Sequence, residues 1–367
     1  MEGLPNDVRP ADGTACAALA PARSGVSPRA ARLGAGALAA GLALGATGAQ
    51  AAGFRTLEIA ADEAGAALAV GLWYPSHEAV PAKPNTEFEL AVALDAPPAR
   101  TNGRLIVISH GHGGWYGGHA DTAIALADAG YAVAAPSHAG DTWSDMSAPI
   151  ERWILSRPAD VSRTVDRVLE DPVLGARLDP ARGGVYGFSA GGYTALALVG
   201  GVPDLDAAAG HCRVEPGEFV CAEGMVDELL DAGVGELPAE AFGADPRVSA
   251  AAIAAPGFGF GFTEASLAGV DVAIQLWTGE LDESVPTGTN AAAVADRLPS
   301  RPELHRVAGA DHFAFLTVAC REAFRRNDPE GYALVCEDED DFDRYAFHEA
   351  MHREMVRFFD GALGVGR

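Results

Sequence analysis

Beyond about residue 54 the chain alternates short apolar runs with stretches of helical spacing, and Pro and Gly punctuate the joins. Residues 55–60, 67–74 and 87–94 read as extended segments, the antiparallel edge of a mixed sheet. The run Arg104-Leu-Ile-Val-Ile-Ser109 has the continuous apolarity of a strand buried on both faces. A helix over 118–129, a strand over 131–135 and a helix over 158–170 follow, then a strand over 184–188 joined directly to a helix over 190–199. Strands at 247–254, 272–277 and 303–307 alternate with helices at 264–268 and 290–297, and an amphipathic helix over 345–359 closes the chain. Strand and helix in alternation predict an α/β fold: a mostly parallel central sheet flanked by helices. Residues 203–245 carry Pro, Gly, acids and two cysteines without a sheet pattern, and read as an inserted cap or flap. Although 367 residues could hold two domains, the spacing fits one catalytic-sized unit over 52–367.

The sharpest local signal is Gly184-Val-Tyr-Gly-Phe-Ser-Ala-Gly-Gly-Tyr193. Strand turns to helix at Ser189 with no residue left for a loop. Such a turn forces strained backbone on the serine, lifts its hydroxyl above the sheet, and needs small neighbours such as Gly187 and Gly191. The backbone N–H of Ala190, at the positive end of the helix, would face an oxyanion formed there.

A serine hydroxyl needs a base, and the base needs a carboxylate to fix its tautomer. Asp282 lies just past one predicted strand end, in Trp277-Thr-Gly-Glu-Leu-Asp-Glu-Ser-Val-Pro286, with Glu280 and Glu283 as rivals; His312 lies past the next, in Val307-Ala-Gly-Ala-Asp-His-Phe313. The order Ser, Asp, His is that of the α/β-hydrolase arrangement. A second oxyanion donor is expected from the Gly-rich loop Ser109-His-Gly-His-Gly-Gly-Trp-Tyr116, by position the backbone N–H of His112. His110, His112, His119 and Asp121 could alternatively form a metal cluster, His138 would brace the same loops, and His348 and His352 read as one face of the last helix. The acidic run 337–341 is a solvated charge run or a loose calcium site.

Charge and cysteines narrow the setting. A formal charge of −25, with Lys83 the sole lysine, excludes a phosphate-backbone partner. Arg29 and Arg32, the apolar stretch 33–46 and Ala49-Gln50-Ala51 together resemble a secretory signal peptide over residues 1–51, with a start codon near Val26 or a membrane anchor as alternatives. Export would permit disulfides, and Cys212 with Cys221 and Cys320 with Cys336 are the expected pairs, against four free thiols in a cytosolic chain.

Ser-His-Gly-His-Gly-Gly, Pro-Ser-His-Ala-Gly-Asp-Thr, Gly-Phe-Ser-Ala-Gly-Gly, Ala-Ala-Pro-Gly-Phe-Gly, Gly-Glu-Leu-Asp-Glu-Ser-Val-Pro and Ala-Asp-His-Phe-Ala-Phe-Leu together resemble the bacterial predicted dienelactone hydrolases, relatives of the platelet-activating-factor acetylhydrolases. The resemblance spans residue 54 to the end. It implies an α/β-hydrolase fold acting on carboxylic esters without a cofactor, with Ser189 as nucleophile, His312 as base, Asp282 as acid, and His112 and Ala190 as oxyanion donors. The elbow holds serine where dienelactone hydrolases proper hold cysteine. The acetylhydrolase acid position reads Ala254-Ala255-Pro256, which moves the acid one strand later.

Trp115, Tyr116, Phe188, Phe258, Phe260, Phe313 and Phe315 fall in or beside the predicted catalytic-edge loops and are either an apolar acyl pocket or ordinary core. The expected activity is hydrolysis of a small-molecule or polymeric ester of short, medium or aromatic acyl type, by an exported protein without stable membrane insertion. A lipase or acetylhydrolase, a peptidase, or an inactive binding module on the same fold are the rivals.

Overall fold

The computed structural model describes residues 50 to 366; the leader reading of residues 1–51 lies outside them except for its last two residues. The strands are β1 (Gly53–Ile59), β2 (Leu68–Tyr74), β3 (Ala93–Leu94), β4 (Leu105–Ser109), β5 (Ala132–Pro136), β6 (Gly183–Phe188), β7 (Val248–Ala254), β8 (Ala273–Gly279) and β9 (Glu303–Val307). They form one nine-stranded sheet in the order β3-β1-β2-β5-β4-β6-β7-β8-β9. β2 pairs antiparallel with β1 and β5, and every pair from β5 to β9 is parallel. Parallel strands bring their carboxyl ends to one edge, where open α/β sheets place ligands.

The helices are α1 (Ala120–Asp128), α2 (Ile150–Leu169), α3 (Ala190–Leu198), α4 (Leu205–Cys212), α5 (Phe219–Ala222), α6 (Met225–Asp231), α7 (Glu264–Leu267), α8 (Ala291–Arg297), α9 (Glu322–Asn327), α10 (Pro329–Cys336) and α11 (Arg344–Ala362). Strand alternation divides the core into two layers. Leu105, Val107 and Val185 face one way and pack with Trp153, Ile154, Val161 and Val165 of α2 and with α3. Ile106, Ile108 and Tyr186 face the other way, against Ala123 and Leu126 of α1 and Met351, Met355 and Phe359 of α11. Each fully buried Leu, Ile, Val, Met or Phe contributes about 1.5–3 kcal/mol, so both faces must stay covered. Among the described residues no helix is long and apolar enough to cross a membrane.

Two expectations need correction, and a third segment gains its secondary structure. The helix predicted from Pro158 begins at Ile150 and carries Pro158 in its interior. Its buried stripe, Ile150, Trp153, Ile154, Arg157, Val161, Val165 and Val168, runs straight through the proline, so packing overrides the local penalty. The strand predicted over 87–94 reduces to β3, two residues paired parallel with β1. Asn85 bonds both backbone groups of Val92, at 2.8 and 3.0 Å, Thr86 does the same for Leu90, and Glu89 takes a φ of 57°, so local side-chain bonds replace a ladder. The 203–245 segment is helical: α4 to α6 bury Leu205, Val226 and Leu229 in the larger core layer.

Candidate active site

β6 delivers Ser189 directly into α3. Its φ of 55° and ψ of −117° lie where a non-glycine residue costs about 1–3 kcal/mol. The surroundings hold that strain: the Ser189 N–H donates to the Ala254 carbonyl at 3.0 Å, and its carbonyl accepts from Gly192 at 2.7 Å and Gly257 at 2.9 Å. Glycine is required on both sides. A Cβ on Gly187 would strike the Gly191 carbonyl, and a Cβ on Gly191 would strike that of Ser109.

The loops after β8 and β9 bring the other two groups to this hydroxyl. The His312 Nε2 lies 3.1 Å from the Ser189 Oγ, and its Nδ1 lies 2.8 Å from the Asp282 carboxylate. The carboxylate partner identifies Nδ1 as the protonated nitrogen, which leaves the Nε2 lone pair for the serine hydroxyl. Asp282 is fixed by accepting the Val285 N–H at 2.6 Å on its other oxygen, and the Leu281 N–H donates to the Ala310 carbonyl at 2.9 Å, tying the two loops together. His312 is 7% and Asp282 6% exposed. Glu280 and Glu283 are exposed. Hydroxyl, imidazole and carboxylate in this order can pass a proton off the serine and so make it a nucleophile.

The loop after β4 stands against the serine: a side chain on Gly111 would meet Phe188 and the Ser189 Cβ. Among the described residues the backbone N–H groups of His112 and Ala190 donate to no protein acceptor. This loop rests on a buried ion pair. Arg157, 0% exposed, donates to the His110 carbonyl at 2.6 Å, the Gly111 carbonyl at 3.1 Å and Asp141 at 2.6 and 2.8 Å. Asp141 in turn accepts from the Gly113 N–H at 2.9 Å and contacts His112 Nδ1 at 2.7 Å. Burial alone would push the Asp141 carboxyl up, but the His112 hydrogen bond, the Arg157 charge and the Gly113 N–H hold it far below the usual carboxylate range.

Behind the loop, burial first and then the neighbouring His138 and Arg157 push His110 well below the usual histidine range. Its neutral ring donates from Nδ1 to the Gly111 carbonyl at 2.7 Å and accepts the His138 N–H at 3.1 Å. His138 itself bridges Ser109, at 2.9 Å, and Asp160, at 3.0 Å. The atom order repeats that of Ser189, His312 and Asp282, yet His138 and Ser109 are 0% exposed, so no substrate carbonyl reaches them and the array braces β4. Burial pushes Asp160 up to about 7.

No protein-family model and no curated protein matches the sequence. Among solved structures, the chain is similar to a ferulic acid esterase from Streptomyces cinnamoneus, with a TM-score of 0.58 and 18% identity over 86% of this chain and 92% of that one. The fold is that of an α/β-hydrolase.

On this α/β-hydrolase sheet the remaining predicted residues take different places. Phe188 lies 5.0 Å and Phe313 5.1 Å, centroid to centroid, from the His312 ring. Phe258 packs on Tyr193 and Phe260, and Phe315 on Phe188 and Phe347. Trp115 and Tyr116 join an aromatic cluster with Phe54 and Phe88 over the β1 edge, and the Tyr116 hydroxyl donates to Glu87. Cys212 is bonded to Cys221 and Cys320 to Cys336. His110, His112 and Asp121 turn to separate partners, His119 packs against Tyr186 and Phe188, and the four form no metal cluster together. Within the acidic run, Asp338 pairs with Arg344 at 2.8 Å. A cleft of about 700 Å³ beside Asp204, Leu230 and Ser266 holds none of Ser189, Asp282 and His312.

Sequence reading assigned no role to Arg157 or Asp160. A signal existed for the first: an arginine stands on the apolar stripe of α2 three residues after Ile154 and four before Val161. A charge at such a position calls for a buried partner.

Proposed function

We propose that this protein is a serine hydrolase that cleaves carboxylic esters through an acyl-enzyme, with Ser189 as nucleophile, His312 as general base and then acid, and Asp282 as the group that orients His312. The carrying observation is the Ser189 to His312 to Asp282 relay, with contacts of 3.1 and 2.8 Å at the carboxyl edge of the sheet. His312 takes the hydroxyl proton as Oγ attacks the ester carbonyl. The tetrahedral oxyanion is received by the N–H groups of His112 and Ala190, each such donor lowering the barrier by about 3 kcal/mol. Collapse expels the alcohol, which takes the proton from His312, and a water activated by the same imidazole then frees the acid and restores the serine.

The substrate class we infer is a short, medium or aromatic acyl ester, small or polymeric. Phe188 and Phe313 beside the His312 ring support an apolar acyl site, as does the ferulic acid esterase character of the solved neighbour. We place the chain with the predicted dienelactone hydrolase and acetylhydrolase-like group on the motifs quoted above. The segment 203–245 is assigned as a wall of the site: His211 stacks at 4.3 Å on Phe260, in the loop whose Gly257 abuts Ser189. The two disulfides support an exported location. The test is a panel of p-nitrophenyl and methyl esters, with butyrate, ferulate and long-chain acyl groups. Saturable turnover of butyrate or ferulate esters without interfacial activation fits the proposal. Activity confined to emulsified long-chain esters would replace it with a lipase.

A further inference from the structure

Asp121, His348 and His352 meet on the face of the sheet covered by α1 and α11. One donor atom from each lies within 4.8 Å of the others. The two histidines stand one turn apart on α11, and Asp121 lies in the first turn of α1. The His348 Nδ1 is 2.7 Å from the Asp121 Oδ2, and the His352 Nε2 is 3.7 Å from the same oxygen and 3.0 Å from the Thr122 hydroxyl.

The arrangement of these contacts is the clue. The His348 Nε2 donates to the Ala314 carbonyl at 2.9 Å, an anchor that turns its Nδ1 toward the Asp121 carboxylate. Two electron-rich atoms cannot sit 2.7 Å apart without a cation between them. The cation is either a second proton on His348 or a metal. Three further features favour a metal. Among the described residues the Asp121 Oδ1 is buried without a hydrogen-bond partner of good geometry, Thr317 being the hydroxyl that stands near the carboxylate. The His352 Nε2 lies on the same side of the carboxylate, 3.7 Å from the Asp121 Oδ2. Anchoring of one imidazole nitrogen to a backbone carbonyl is also how metal-ligating histidines are commonly oriented.

We propose that Asp121, His348 and His352 bind Zn²⁺, with water completing the coordination, as a cross-link between α1 and α11. Two imidazoles and one carboxylate suit a borderline divalent ion and not Ca²⁺ or Mg²⁺, which take oxygen ligands. The site is separate from Ser189 and takes no part in the proposed ester chemistry.

Chelator-stripped full chain is titrated with Zn²⁺ by calorimetry, with Ca²⁺ as control, and with Co²⁺ followed by visible absorption. The expected result is one Zn²⁺ per chain, the intense visible bands of four-coordinate Co²⁺, and a rise in Tm of about 5 °C at zinc a hundredfold above Kd. His352→Ala, or His352→Gln should the alanine variant fail to fold, weakens Zn²⁺ binding at least about 100-fold. Zinc that binds the variant as tightly as the parent, Co²⁺ with only a weak six-coordinate spectrum, or no stoichiometric binding would each overturn the site.

Discussion

The Arg157 guanidinium donates to the His110 carbonyl across 2.6 Å, from the middle of α2 to the loop that borders Ser189. With the Gly111 carbonyl and Asp141 as its other partners, it fixes which way the peptides of that loop face.

Arg157→Lys is therefore expected to lower kcat about 10²-fold, because a single ammonium cannot hold both carbonyls in place. Arg157→Met should cost about 3–5 kcal/mol of stability by stranding buried Asp141. Steady-state kinetics and urea unfolding check the pair. A kcat unchanged in the lysine variant would detach this network from the site.

Asp282 and its neighbours offer a controlled comparison. Asp282→Asn should reduce kcat about 10⁴-fold, since the amide would turn His312 to the wrong tautomer. Glu280→Gln and Glu283→Gln, at exposed positions on either side, should stay within about twofold of the parent, a change under 0.5 kcal/mol. Kinetics that rank a glutamate variant below Asp282→Asn would move the acid.

His119 is buried between the rings of Tyr186 and Phe188 with its Nδ1 unpartnered, and burial first holds it down at about 4. A histidine lowered from about 6.5 in the unfolded chain contributes stability that is intact above that pH and lost as pH falls toward 4, because only the unfolded state takes the proton. The loss amounts to about 3 kcal/mol at the acid end. In chelator-containing buffer, His119→Phe should flatten the fall of unfolding free energy between pH 6.5 and 4 relative to the parent, with His110, His138 and His352, all lowered by burial, among the groups that supply the slope that remains. Superimposable curves for parent and variant would refute the assignment.

The Cys320–Cys336 bond links positions 16 apart, downstream of His312. Replacing both cysteines by serine should cost about 3 kcal/mol. Thermal unfolding of the double variant measures this, and an unchanged Tm would mean that α9 and α10 are held by other contacts.

Most of the sheet was legible because its inner strands are continuous apolar runs: residues 104–109, 131–135 and 184–188 fall within a residue or two of β4, β5 and β6. Ser189 was legible for a local reason, since a strand and a helix that share one residue leave only one backbone solution. What escaped depends on distant partners. Arg157 and Asp141 come together only after α2 folds back across the loop, and Asp121 meets His348 across more than two hundred residues. The side-chain bonds of Asn85 and Thr86, which turn an apparent strand into a loop, leave no trace in hydrophobic periodicity.

The most direct test of the account is the site of labelling by a fluorophosphonate, read by mass spectrometry of the digested protein. Stoichiometric modification of Ser189, lost in Ser189→Ala together with p-nitrophenyl butyrate hydrolysis and slowed in a His312→Ala variant, is the result expected. Ester hydrolysis that persists in Ser189→Ala, or a label carried by another residue, would contradict it.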